Sequence, residues 1–314
     1  MNDDGDISIY KNLLKFKLWS NIAKEKIILA DFSSVKFGLA DRFIGILSLY
    51  MLAKETGRTL KIYHTKDFLL EKYLLPNKVN WIIKSKEIAY GLNESRPLIS
   101  SLSRNSLRLI GIPDLNPRVK QYHAYTNMDF RDFIQNDRLN RYNRCELFKE
   151  LFVFSPHLQS LVDTALILIG THRFIAVHLR FLNMLEGVEP NAMNKEGDLS
   201  KKNKIKLINK CKKIIHSLHN KYPDIDILLI SDSNTFLEEA FPSYVKILPG
   251  RVGHISSDIM EKDSIVDKAF TDMFLLTKAE FICNITGCGL RKSGFSKMAA
   301  EFGGIPFKTI EIED

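Results

Sequence analysis

Three short stretches carry residue types suited to handling an anion. His178-Leu179-Arg180 ends an apolar run, and an arginine there can hold two phosphate-type oxygens through its planar fork and neutralise charge on a departing group. Another, made up of Ser231-Asp232-Ser233 together with Lys292-Ser293-Gly294-Phe295-Ser296, supplies hydroxyls, and its latter part opens a helix whose first amides can seat a phosphate. A carboxylate such as Asp232 at a strand end can accept from the N–H edge of a guanine. Lys36-Phe37-Gly38-Leu39-Ala40-Asp41-Arg42 adds a glycine that lets backbone approach a ligand, a carboxylate and a guanidinium. Each has a plainer reading: Asp41, Ser233 and Ser293 as helix caps, Arg180 as half of a salt bridge, His178 as a core histidine.

The elements around these stretches decide what they can do. Ile27-Ile28-Leu29-Ala30 and Thr59 to Tyr63 read as parallel strands joined by a helix that starts near Asp41, carries Phe43, Ile46, Leu47, Tyr50 and Met51 on one side, and stops at Gly57. From Asp67 to Arg144 the pattern dissolves into short pieces broken by Pro76, Pro97, Pro113 and Pro117. Helices are predicted around Glu146 to Phe152 and from His157 to about Ile169, with Ser155-Pro156 marking a helix start and a hinge between domains. The second half alternates: strand Phe174 to Leu179, helix Lys202 to His219, strand Ile225 to Ile230, helix Thr235 to Ala240. Strand Val245 to Leu248, helix Ser264 to Leu276, strand Glu280 to Asn284 and helix Phe295 to Phe302 follow. This predicts two α/β domains: 1–155, and 156–314 as a Rossmann-like nucleotide-binding domain. In such sheets ligands sit beyond the carboxyl ends of the strands, where the three stretches fall.

A chain of 314 residues with 45% hydrophobic and 26% charged side chains suits two soluble domains. Its formal charge of +8 is scattered, with no aromatic-interleaved basic stripe, so nucleic acid is not expected as a partner. Cys145, Cys211, Cys283 and Cys288 fit neither a disulfide framework nor zinc spacing, and read as reduced thiols. The acidic start and the lack of a run of about twenty apolar residues point to a cytoplasmic location. In the lysine-rich helix, Ile205, Ile208, Cys211, Ile215 and Leu218 form an apolar stripe. The rest of its surface is that of a solvated helix or of a peripheral contact with anionic lipid on the inner face of a membrane.

In their order the three stretches resemble the GDP-fucose-dependent fucosyltransferases, a group that includes bacterial α-1,2- and α-1,6-type enzymes and the protein O-fucosyltransferases. Gly38-Leu39-Ala40-Asp41-Arg42, followed by Phe43-Ile44-Gly45 and Gly57-Arg58-Thr59-Leu60, is similar to the family's glycine-rich loop. His178-Leu179-Arg180 matches its H-x-R motif. Ser293-Gly294-Phe295-Ser296 with Ala299-Ala300, after a helix bearing Asp272, matches its third block. The resemblance spans roughly residues 27 to 63 and 150 to 307. It implies a GT-B-like fold of two Rossmann-like domains facing a cleft, the first on the acceptor side. It also implies transfer of fucose from GDP-fucose to a glycan hydroxyl, with Arg180 on the β-phosphate, Ser293 and nearby amides beside it, and Asp232 near the base.

Two positions depart from the family pattern: Ala40 replaces the second glycine, and Phe181-Leu182-Asn183 replaces the Arg-x-Asp that follows the arginine in many relatives. Candidates for the base are Asp41, Glu186 and Glu189. With Arg180 and the Ser293 helix start to stabilise the diphosphate, and no Asp-x-Asp pair, neither cofactor nor metal is expected. Two alternatives are a transferase for another nucleotide sugar and a degenerate protein of the same fold that binds glycan or nucleotide without turnover.

Overall fold

The computed structural model describes residues 14–17, 22–33, 37–98, 115–124, 126–133, 137–186, 199–253, 255 and 262–313. Lys36 and Glu189 lie outside this set. The chain divides into two compact units, Met1–Ser155 and Pro156–Asp314.

In the first unit, β1 (Ile27–Asp31), β2 (Thr59–Tyr63), β4 (Ser95–Pro97) and β5 (Gln121–Ala124) form a parallel sheet in the order β2-β1-β5-β4. All five β1 residues are buried, as expected for a strand covered on both faces. α1 (Leu39–Glu55) makes the crossover from β1 to β2. It starts two residues earlier than the sequence predicts, because Leu39 and Ala40 are buried and wind into its first turn rather than lining a loop. Its packing is close: a Cβ on Gly45 would lie 1.7 Å from the Thr126 carbonyl oxygen, so only glycine fits there. β3 (Leu74–Pro76) and β6 (Phe152–Phe154) pair as an antiparallel ribbon, and α2 (Arg144–Leu151) precedes β6 with Asn143 capping the Cys145 and Glu146 amides. Phe152, expected to end that helix, begins the ribbon instead.

The second unit opens with α3 (Pro156–Ile169) and builds a parallel sheet in the order β11-β10-β7-β8-β9. Its strands are β7 (Phe174–Leu179), β8 (Asp226–Ser231), β9 (Val245–Lys246), β10 (Ile282–Thr286) and β11 (Phe307–Glu311). The connecting helices are α4 (Lys201–Lys221), α5 (Asn234–Leu237), α6 (Lys262–Leu276) and α7 (Gly294–Gly303). The chain runs outward from β7 through β8 to β9, then returns to place β10 on the other side of β7. The switch point therefore lies between the carboxyl ends of β7 and β10. On α4 the buried stripe is Leu207, Ile208, Cys211, Ile215 and Leu218; Ile205, expected within it, is 53% exposed one turn before the sheet contact begins. β11 has no counterpart in the sequence reading: it is an edge strand with Lys308 and Thr309 exposed, and shows no apolar run.

Candidate functional site

At the switch point of the second unit, β7 ends in His178 and Leu179, and Arg180 is the first residue beyond it. His178 is buried. Desolvation, helped by the neighbouring Arg180 charge, pushes its pKa down to about 3, so the imidazole is neutral near pH 7. Its ring stacks on Phe295, with centroids 5.8 Å apart, and its Nδ1 has no hydrogen-bond partner among the described residues. Arg180 is exposed, and no ion pair to its guanidinium occurs among the described residues.

Asn284 on β10 ties the edges of the site together. Its Nδ2 donates to the His178 carbonyl at 3.1 Å and its Oδ1 accepts from the Ser293 amide at 3.0 Å. That second bond seats the start of α7. The first internal bond of the helix runs from the Lys297 amide to the Ser293 carbonyl at 3.3 Å, so the amides of Gly294, Phe295 and Ser296 precede the helical ladder. Ser293 occupies the N-cap position without capping: its hydroxyl and that of Ser296 are buried and have no partner among the described residues. Buried hydroxyls are rarely left unpaired, and an anion at this helix start would satisfy both them and the amides. Asn284 was missed in the sequence, where its signal was a lone polar residue inside Ile282-Cys283-Asn284-Ile285.

The other expected residues divide. Ser233 does cap: its hydroxyl accepts from the Phe236 amide at 3.1 Å. The plainer reading therefore holds for Ser233 and fails for Ser293. Asp232 accepts from the Phe181 amide at 2.7 Å and the Leu182 amide at 3.1 Å; burial raises its pKa, while those two amides and then Arg180 act to lower it. Asp272 is buried in α6 with both oxygens 2.6 Å from Lys268 Nζ; desolvation raises its pKa against that pairing. Glu186 Oε2 accepts from the Thr235 hydroxyl at 2.5 Å, and its Oε1 is buried without a partner among the described residues.

The first unit's stretch behaves differently from expectation. Gly38 is the N-cap of α1 and makes no side-chain cap bond, so Asp41 sits in the first helical turn and is not the cap. Arg42, expected to face a ligand, is 1% exposed and built into the unit's interior. It pairs with Asp67, its Nε donates to the Phe37 carbonyl at 2.9 Å, and its Nη1 lies 2.8 Å from His64 Nε2. Since arginine can only donate, His64 Nε2 accepts and its Nδ1–H serves the Phe68 carbonyl at 3.0 Å; burial pushes this neutral imidazole down to about 4. Arg42 is thus engaged by partners within its own unit, where the sequence reading placed it towards a ligand.

Among the described residues no group of three or more His, Cys, Asp or Glu side chains is placed to hold a metal ion, and no helix is long and apolar enough to cross a membrane. None of the four cysteines is in a disulfide. A groove of about 550 Å³ in the second unit is lined among others by Lys221, Tyr222, Phe281, Cys283 and Lys308, and by none of the expected site residues.

A parallel sheet wound outward on both sides of β7 defines a doubly wound, Rossmann-like class of α/β fold. Solved structures narrow that class to the GT-B fold of fucosyltransferases. The fucosyltransferase NodZ from Bradyrhizobium matches with a TM-score of 0.57 and 15% identity, covering 88% of this chain and 92% of that one. NodZ α-1,6-fucosyltransferase co-crystallised with GDP gives 0.57 at 16% identity, with 88% and 92% covered. Arabidopsis thaliana FUT1, as an arginine-to-lysine mutant in complex with GDP, gives 0.61 at 14% identity, covering 98% of this chain and 75% of that one. The family resemblance noted in the sequence thus holds at the level of the fold. No protein-family model and no curated protein sequence matches the chain.

Proposed function

We propose that the chain is a glycosyltransferase that passes fucose from GDP-fucose to a glycan hydroxyl with inversion and without a metal ion. The observation that carries this reading is the seat at the start of α7, where the buried Ser293 and Ser296 hydroxyls, three helix-start amides and the exposed Arg180 surround the β7–β10 switch point. Arg180 takes the diphosphate oxygens and offsets the charge that develops as the bond to the sugar breaks, with the hydroxyls and amides as further donors. Neutral His178, packed on Phe295, keeps a second positive charge away from Arg180.

Of the candidate bases Asp41, Glu186 and Glu189, Glu186 has one oxygen oriented by the Thr235 hydroxyl. On this reading the chain works in the cytoplasm, and the lysine-rich α4 is either a solvated helix or a peripheral contact with anionic lipid, which co-sedimentation with anionic liposomes separates.

A second reading, a different nucleotide sugar, is favoured by one observation. The two carboxylates expected on the donor side, Asp232 and Asp272, each have both oxygens engaged within the protein. Thermal-shift titrations with GDP, UDP and ADP, followed by transfer assays from GDP-fucose with and without EDTA, separate the two. The expected result is the largest shift with GDP, because a ligand of the native state raises its melting temperature, together with EDTA-resistant transfer. Equal shifts for all three nucleotides would remove the guanine assignment, and loss of transfer in EDTA, restored by manganese, would remove metal independence.

A further inference from the structure

We infer that Asp232 is the positioning residue of the Arg180 turn, fixing the arginine for a diphosphate without touching the donor itself. The inference rests on the reading of Arg180 as a donor-phosphate residue. Its starting point is a backbone problem. One residue beyond Arg180, after Phe181, the chain places two consecutive non-glycine residues in the left-handed region, Leu182 at φ 51° and Asn183 at φ 68°. Asparagine tolerates that conformation, whereas leucine resists it because its Cβ crowds the following carbonyl. Such a turn persists only where the surroundings over-determine it.

Asp232 supplies the main constraint. Each of its oxygens takes one of two adjacent amides, Phe181 at 2.7 Å and Leu182 at 3.1 Å, so two successive main-chain donors are tied to a single side chain. The Met184 amide closes the turn onto the Phe181 carbonyl at 3.1 Å, and the Phe181 ring is fully buried 5.0 Å from that of Phe236. On the other side, the Arg180 carbonyl accepts from the Arg291 amide at 3.2 Å. The peptide unit that joins Arg180 to Phe181 is therefore held at both its carbonyl and its amide, and β7, paired with β8 up to Leu179, fixes the chain before it.

Asp232 is itself firmly mounted. Ser231 Oγ accepts from the Ser233 amide at 3.1 Å, Ser233 caps α5, and Asn234 bonds the Val252 carbonyl and amide at 3.0 and 2.9 Å. A carboxylate needed only to neutralise Arg180 would turn an oxygen towards it. This one turns both oxygens to the backbone, which is how a group acts when orientation of its neighbour is what it provides.

The test uses the full-length protein with pyrophosphate and GDP as probes. Asp232→Asn keeps the shape but replaces one acceptor by a donor facing an amide. Hydrogen exchange at Phe181 and Leu182 without ligand should then quicken about tenfold or more. Affinity for both probes should fall about tenfold in a wild-type background and much less in an Arg180→Lys background, the non-additivity expected when one residue acts through another. Affinity loss undiminished by Arg180→Lys, or loss for GDP but not pyrophosphate, would mean that Asp232 touches the ligand and would overturn the inference. So would unchanged exchange or unchanged affinity in a protein whose wild type binds the probes. If the wild type binds neither probe, the donor reading has failed and the positioning role falls with it.

Discussion

Lowering the pH from 7 to 5 should cost the second unit about 2 kcal/mol through His178 alone, and replacing His178 should remove that cost. The folded protein holds this imidazole at a pKa of about 3 because it is buried beside Arg180, whereas in the unfolded chain it returns to about 6.5. The folded value is depressed, so the contribution is fully present above pH 6.5. It erodes as pH falls from there and levels off only near the folded value. Each pH unit in that window weakens folding by up to about 1.4 kcal/mol, and the 1.5 units from 6.5 to 5 give about 2 kcal/mol. Asp232 and Asp272, whose carboxyls burial pushes up, act with the opposite sign, so the comparison must be between proteins and not between pH values alone. Native-state hydrogen exchange of the β7 and β10 amides at pH 7 and 5, in the wild type and in His178→Gln, isolates the histidine. The drop in the variant should be smaller by about 2 kcal/mol. Parallel pH dependence in the two proteins would refute the reasoning, since it would mean that folding does not suppress protonation of His178.

Arg180→Lys keeps a charge but loses the bidentate fork, and should lower transfer by about 10²-fold with little change in melting temperature; near-normal transfer would make the arginine structural. Arg42→Met should act the other way, leaving Asp67 buried without its partner and costing about 3–5 kcal/mol in denaturant unfolding of the first unit, and a loss below about 1 kcal/mol would show that the pair is not desolvated.

The second unit was largely legible because its strands are continuous apolar runs separated by amphipathic helices. Phe174–Leu179 has in the structure the bounds read from the sequence. Elements failed where burial alone could not mark them. β9, read as Val245 to Leu248, keeps its start and stops at Lys246, whereas β5, Gln121–Ala124, has no counterpart in the sequence reading: it is fully buried although its sequence, Gln-Tyr-His-Ala, is mostly polar. Gln121 is satisfied there by the Ala89 amide and the Glu87 carbonyl, partners that no local pattern announces. At the site, strand ends and loop positions could be read, but hydrogen-bond partnership could not. Ser233 and Ser293 look alike in sequence, and only the structure shows one hydroxyl capping a helix and the other buried without a partner among the described residues.

The same distinction separates the two arginines that the sequence offered as cations for a ligand. Arg42 lies at the fourth position of α1, directly before Phe43 on a helix whose buried positions include Ile46 and Leu47, so the fold carries its side chain inward. Removing a guanidinium from water is tolerable only with a full set of acceptors, and Asp67, His64 and the Phe37 and Lys66 carbonyls provide them. An arginine satisfied in that way cannot exchange those partners for phosphate oxygens without exposing Asp67 to the same penalty. Arg180 keeps its hydration, because β7 ends before it and the next turn is held through backbone amides. Binding an anion there exchanges water for phosphate oxygens and leaves no protein carboxylate behind. A donor cation is therefore to be sought among arginines whose backbone is fixed and whose head group is solvated, and Arg180 meets both conditions.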